Sequence, residues 1–103
     1  MENIPFLHVY SPWVHHSTAH IIGNKPALEK LRDLIDKTLN SQTEKDAFFG
    51  YDGEEYDVKV ISFNNVDKFP IVACPYMDES AKEKRDNVLW PKDLGEIIQS
   101  RKI

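Results

Sequence analysis

Hydrophobic residues recur along this chain with two different periods, which predict where its helices and strands lie. Five of them follow one another at spacings of three and four: Leu28, Leu31, Leu34, Ile35 and Leu39. This spacing places their side chains on one face of a helix. Asn24 precedes the stretch as a suitable N-cap, and Pro26 is tolerated in the first turn. The pattern predicts one long amphipathic helix that ends near Asn40, with the apolar stripe buried in the core.

Shorter stretches have the period of two that is typical of strands. Residues 6–10 and 19–22 are apolar and are each followed by turn-forming residues, which predicts two strands before the helix. After the helix, residues 47–49 and 56–63 flank a turn at Gly53, where glycine tolerates a positive φ. The alternation from residue 56 onward predicts a hairpin with one buried and one solvated face.

The last third of the chain is less regular. An apolar run at 71–74 lies between two prolines and predicts an edge strand, and residues 92–102 predict a short C-terminal helix. Strands joined by short links pair antiparallel, with helices on one face of the sheet. The sequence therefore predicts a single α+β domain over residues 1–103. We expect a two-layer sandwich with a mostly antiparallel sheet of about four to five strands.

Composition and charge restrict the classes of partner. Of the 103 residues, 41% are hydrophobic and 29% are charged, which suits one globular domain. The net charge of −4 argues against a general affinity for nucleic-acid phosphates. The sequence has no apolar stretch of the ~20 residues that a membrane helix needs, and its first residues lack the features of a signal peptide. We expect a cytoplasmic protein that binds neither nucleic acid nor membrane.

The four histidines are the most concentrated candidate chemistry: His8, His15, His16 and His20. His16 and His20 are four residues apart, but the glutamate of the zinc-binding H-E-x-x-H motif is missing between them. In an extended segment the two rings would be about 13 Å apart, too far for one ion. A site built from His8, His16 and His20 is the alternative hypothesis, and it would make this a small metal-binding protein or a metal-dependent enzyme.

Motifs for other kinds of catalysis are missing from the sequence. Cys74, the single cysteine, lies in an apolar run that predicts a buried and inert thiol. The sequence contains neither the G-x-S-x-G turn of serine hydrolases nor the glycine-rich loops that bind phosphate. We therefore predict a protein with no catalytic residues and no cofactor.

Two segments have the composition of protein-binding surfaces. One combines rigid aromatic rings with polar tips, a makeup enriched at interfaces: Tyr10, Trp13, His15 and His16. The other is an acidic turn that can face a basic partner: Asp52, Glu54 and Glu55. These seven residues are our candidate partner-binding site. The alternative for the first segment is that Trp13 packs at the edge of the core beside histidines in a solvated loop. A role as one subunit of a homo-oligomer is compatible with both.

The layout of residues 7–61 resembles that of small bacterial proteins. The resemblance lies in the stretch HVYSPWVHHSTAHIIGN, the helix ALEKLRDLIDKTL and the hairpin FFGYDGEEYDVKVI. In size, acidity and architecture the chain is similar to immunity proteins of bacterial toxin systems. The resemblance carries over no active-site residue. It implies a cytoplasmic, non-enzymatic module that binds a toxin domain and neutralises it by covering its active site.

Overall fold

The computed structural model of the chain describes residues 3–64, 72–75 and 89–91. These residues form an α+β structure with one helix and two antiparallel sheets of two strands each. In chain order the elements are β1 (Leu7–Tyr10), β2 (His20–Gly23), α1 (Lys25–Ser41), β3 (Thr43–Phe49) and β4 (Glu55–Ile61). β1 pairs with β2, and β3 pairs with β4. The α+β class predicted from the sequence is confirmed.

The contacts group the chain into two compact units. The first holds residues 3–11 and 18–62, and with them all five elements. The second holds residues 12–17 and the described residues from 63 onward. In that unit Val72 forms a single parallel bridge with Leu89, and the N–H of Ala73 donates to the Leu89 carbonyl at 2.7 Å. The single domain over residues 1–103 stays a prediction.

The helix begins and ends where the sequence predicts. Asn24 is the N-cap, and its Oδ1 accepts a hydrogen bond from the N–H of Ala27 at 3.1 Å. The helix ends at Ser41. The next residue, Gln42, takes a φ of 82°, and its N–H still donates to the Thr38 carbonyl at 2.7 Å. Local capping therefore fixes both ends of α1.

The buried face of α1 differs from the predicted stripe. One line of side chains is buried or partly buried: Ala27, Leu31, Leu34 and Thr38. The prediction of burial is wrong for three other residues, which are exposed: Leu28, Ile35 and Leu39. The two lines lie side by side on the helix surface, and the buried one contains a small alanine that lets the helix approach its neighbours closely. Thr38 belongs to the buried line because its hydroxyl donates to the Leu34 carbonyl at 2.8 Å.

The core joins the helix to both sheets. Four buried residues form its centre, and three partly buried ones pack against them: Leu7, Ala27, Leu34 and Phe48, with Leu31, Val58 and Val60. Asp46 pairs with Val58, and Phe48 pairs with Tyr56. Because side chains alternate along a strand, Val58 and Val60 lie on the sheet face that carries Phe48. Val58 and Val60 thus pack against the core as the alternation predicts, whereas Tyr56 on the same face is exposed. Complete burial of Phe48 alone contributes roughly 1.5–3 kcal/mol.

Strand β3 begins four residues before its predicted start. Residues 43–46 are polar, so their pattern gives no strand signal, yet they pair with the apolar end of β4. Two of these residues form ion pairs with other elements. Lys45 lies 3.7 Å from Asp57 on β4, and Asp46 lies 3.6 Å from Lys30 on α1. Long-range pairing, which the local sequence does not encode, extends this strand.

A single bridge links the two strand pairs. Phe6 bridges Phe49 in parallel, and the N–H of Phe49 donates to the Pro5 carbonyl at 3.0 Å. Four of the predicted strands are present, and they form two pairs. A continuous sheet of about four to five strands stays a prediction. The C-terminal helix predicted over 92–102 lies outside the described residues.

Cys74 is exposed, so the prediction of a buried thiol is wrong. The apolar run that contains it pairs through one bridge at Val72, which leaves Cys74 beyond the paired residue. In the part of the chain that the structure describes, we find no helix with the length and apolar character of a membrane span.

Candidate functional site

His8 lies on the outer face of the β1–β2 hairpin. The register pairs His8 with Ile22 and Tyr10 with His20, so these side chains lie opposite the face that carries buried Leu7. The Nδ1 of His8 is 3.0 Å from the Tyr10 hydroxyl, and the two rings meet edge to face with centroids 5.9 Å apart. This places an imidazole and a phenol side by side on one strand.

The other ring nitrogen of His8 reaches the turn between β3 and β4. Its Nε2 accepts a hydrogen bond from the backbone N–H of Tyr51 at 2.8 Å. A backbone N–H only donates, so Nε2 carries no proton in this arrangement and the neutral ring holds its hydrogen on Nδ1. Nδ1 therefore donates to Tyr10. Both nitrogens of His8 are engaged, and the side chain fastens β1 to the turn.

The turn itself is closed by four short-range features. The N–H of Gly53 donates to the Gly50 carbonyl at 2.9 Å, and the N–H of Gly50 donates to the Glu54 carbonyl at 2.9 Å. The Oδ1 of Asp52 accepts from the N–H of Glu54 at 3.0 Å. Gly53 has a φ of 83°, as predicted. This geometry leaves the Tyr51 side chain 89% exposed beside the acidic residues of the turn.

Two pockets meet at His8 and Tyr51. The first has a volume of about 400 Å³, and its remaining lining is mainly apolar: Phe6, Leu7, Ile22, Gly23 and Asn24. The second has a volume of about 490 Å³, and its remaining lining is acidic and polar: Gly50, Asp52, Glu54, Glu55 and Tyr56. Because His8 and Tyr51 line both, we treat them as one surface and call it the His8 cleft. It has an apolar side and an acidic side.

Both faces of the β1–β2 hairpin carry exposed apolar residues, and one of them, Ile22, lines the cleft. Val9 and Ile21 pair with each other on the Leu7 side of the hairpin, and each is more than half exposed. Ile22, on the opposite face, is 58% exposed. Apolar side chains grouped in this way on a small domain are typical of contact surfaces.

Tyr56 lies at the edge of the acidic side. Its hydroxyl donates to the Leu7 carbonyl, which joins β4 to β1. Burial raises the pKa of Tyr56 above its ordinary value of 10.0, and the neighbouring Tyr10 raises it further. The phenol is therefore held in its neutral, donating form.

The structure brings together four of the seven candidate partner-binding residues. Asp52, Glu54 and Glu55 line the acidic side of the cleft, and Tyr10 contacts His8, which lines both sides. Trp13, His15 and His16 belong to the second unit, as an exposed turn.

That turn has its own local structure. The hydroxyl of Ser17 donates to the Val14 carbonyl at 2.8 Å, and His16 takes a φ of 64°. The side chains of His15 and His16 are exposed, with ring centroids 6.3 Å apart. Trp13 is 80% exposed, so the alternative in which it packs at the core edge is wrong. The solvated histidines are confirmed.

The histidines proposed as metal ligands occupy different settings. His8 uses both ring nitrogens in hydrogen bonds, His16 lies in the exposed turn, and His20 is the exposed first residue of β2. Within residues 3–64, 72–75 and 89–91, no three His, Cys, Asp or Glu side chains come together as a metal-binding group.

Sequence reasoning missed Tyr51, Phe6 and Ile22 as site residues. Tyr51 carried a usable signal, since a tyrosine inside a short polar turn has no core to pack into. Phe6 and Ile22 have the pattern of ordinary strand residues. Only the register and the long-range contact with the turn place them beside Tyr51.

Comparison of the chain with protein-family models, with curated proteins and with solved structures finds no match. The resemblance to immunity proteins stays a prediction.

Proposed function

We propose that this chain is a non-enzymatic protein-binding module and that the His8 cleft is its main contact surface. The observation that carries the proposal is the junction of an apolar pocket with an acidic one at His8 and Tyr51. Protein interfaces combine such an apolar centre with a polar rim. A large exposed aromatic side chain at the junction, here Tyr51, is the residue type that most often anchors them.

The cleft is built on a fixed frame, which favours binding. The hydrogen bond from Tyr51 to His8 holds the turn against β1, and that from Tyr56 to the Leu7 carbonyl holds β4 against the same strand. A surface that is already ordered loses little conformational entropy when a partner binds. Tyr10, through its contact with His8, extends this ordered surface along β1.

The partner that this proposal favours is a protein with a basic contact patch. The net charge of −4 and the carboxylates of the acidic side attract positive charge and speed association. The resemblance to immunity proteins would make that partner a toxin domain in the cytoplasm. Trp13, His15 and His16 remain proposed contacts of the second unit.

The test begins with capture of partners by the full chain from the organism that encodes it. Each captured protein is purified, and its dissociation constant is measured with the wild-type chain and with Tyr51→Ala, Ile22→Ser and Trp13→Ala. We expect each substitution to weaken binding by about 2 kcal/mol, roughly thirtyfold. All three side chains are exposed, so the fold should remain intact.

Arg32→Ala is the matched control, because Arg32 is an exposed helix residue outside the cleft. It should leave the affinity unchanged. If a purified partner binds the Tyr51→Ala and Ile22→Ser variants as tightly as the wild-type chain, the cleft is not the contact surface. If only Trp13→Ala weakens binding, the contact surface lies in the second unit.

A further inference from the structure

The apolar side of the His8 cleft opens onto three carboxylates, and this order of surfaces specifies what can enter it. We propose that the cleft binds a partner segment in which a large apolar residue is followed or preceded by lysine or arginine. The apolar side chain occupies the pocket beside Phe6 and Ile22, and the cation lies between the carboxylates of the turn. This inference rests on the proposed function and names the chemistry of the partner.

The apolar side can take one large side chain. Its volume of about 400 Å³ is within the range of pockets that hold small ligands. Leu7, which is buried, and Gly23 also line it. Ile22 on its wall is more than half exposed and gains from being covered.

The acidic side of the cleft carries negative charge. Asp52, Glu54 and Glu55 are exposed, and none of them forms an ion pair with another of the described residues. Other acids of the same unit have partners: Asp46 lies 3.6 Å from Lys30, and Asp57 lies 3.7 Å from Lys45. A cation on a partner is the electrostatic complement of these carboxylates.

Tyr51 connects the two sides. It lines both pockets and is 89% exposed. The face of a tyrosine ring attracts an ammonium or guanidinium group, and the aliphatic stem of lysine or arginine packs on apolar surface. One amphipathic residue next to an apolar one can therefore contact Phe6, Tyr51 and Asp52 in succession.

Three short peptides serve as defined probes: N-acetyl-Leu-Arg-amide, N-acetyl-Leu-Glu-amide and N-acetyl-Gly-Arg-amide. Each is titrated into the full ¹⁵N-labelled chain while the amide signals of Gly23, Gly50 and Tyr51 are followed by NMR. We expect the Leu-Arg peptide to shift all three signals and to bind about tenfold more tightly than the Leu-Glu peptide. An exposed ion pair strengthens the binding of the arginine by about fivefold at most, and repulsion from the carboxylates weakens the binding of the glutamate. Added salt should reduce that ratio.

Two variants test separately the contact with the cation and the contact with the apolar side chain. The double variant D52N/E54Q should abolish the preference for Leu-Arg over Leu-Glu, while Asn at position 52 keeps an oxygen for the N–H of Glu54. Ile22→Ser should abolish the preference for Leu-Arg over Gly-Arg. Equal binding of Leu-Arg and Leu-Glu would overturn the inference about the cation. The proposed function would then still stand or fall on the purified partner and its dependence on Tyr51 and Ile22.

Discussion

The imidazole of His8 and the backbone N–H of Tyr51, 43 positions apart in the chain, are joined by a hydrogen bond of 2.8 Å. In the sequence His8 is a candidate metal ligand, but in the structure its side chain links β1 to the turn between β3 and β4. It also positions Tyr51, which like His8 lines both halves of the cleft.

Replacing His8 with alanine should lower the free energy of unfolding by about 1–2 kcal/mol, because the N–H of Tyr51 loses its acceptor. Urea denaturation measures the change. His20→Ala, at an exposed site in the same hairpin, should change stability by less than about 0.5 kcal/mol. Histidine ¹⁵N shifts should show His8 protonated at Nδ1 only, and a proton on Nε2 would contradict the arrangement.

Asn24→Ala should destabilise the protein by about 2 kcal/mol. Besides capping α1, the Asn24 side chain accepts from the N–H of Phe6 at 3.2 Å and donates to the Ile4 carbonyl at 2.7 Å. Asn24→Asp keeps the acceptor and loses the donor, so its stability should lie between those of the wild type and the alanine variant. Equal stability of all three proteins in urea would show that the Asn24 cap does not contribute to the free energy of unfolding.

Gly23→Ala should cost about 2 kcal/mol through overpacking. A Cβ at this position would lie 3.0 Å from Leu7 Cδ1 and 3.1 Å from the Phe6 carbonyl oxygen. In a double-mutant cycle, Leu7→Ala should relieve part of the clash, giving a coupling of about 0.5–1 kcal/mol. Strict additivity of the two changes would argue against a clash with Leu7.

Gln42→Gly should raise the free energy of unfolding by about 0.5–1 kcal/mol. Gln42 follows the helix with a φ of 82°, a conformation that glycine adopts without the clash of a Cβ. Gln42→Ala retains the Cβ and is the matched control, expected to leave thermal stability nearly unchanged. A glycine variant that melts below the alanine variant would refute this explanation.

Alkaline pH should destabilise the fold through Tyr56. Its pKa is raised in the folded state by burial and then by Tyr10, so its contribution is fully present below pH 10.0 and is lost as pH rises through the folded-state pKa. Ultraviolet titration should show that Tyr56 ionises above pH 10.0. Tyr56→Phe should remove that late transition and flatten the decline in stability, whereas Tyr51→Phe should do neither.

The sequence by itself determined the elements whose signals are local. Asn24 caps α1 through the amide three residues on, and Gly53 supplies the positive φ of the hairpin turn. Alternation in β4 predicted that Val58 and Val60 face the core, because strand periodicity is a property of the backbone. Each of these signals acts over a few residues, so each is readable without the rest of the molecule.

The tertiary structure decided what depends on residues far apart in the chain. It selected the line with Ala27 and Thr38 over the equally periodic line with Leu28 and Leu39, because close approach to the sheets favours small side chains. It extended β3 through pairing with β4 and brought His8 to Tyr51. Hydrophobic periodicity gives the direction of a side chain but not its neighbour. The cleft, which consists of such neighbours, follows only from the packed chain.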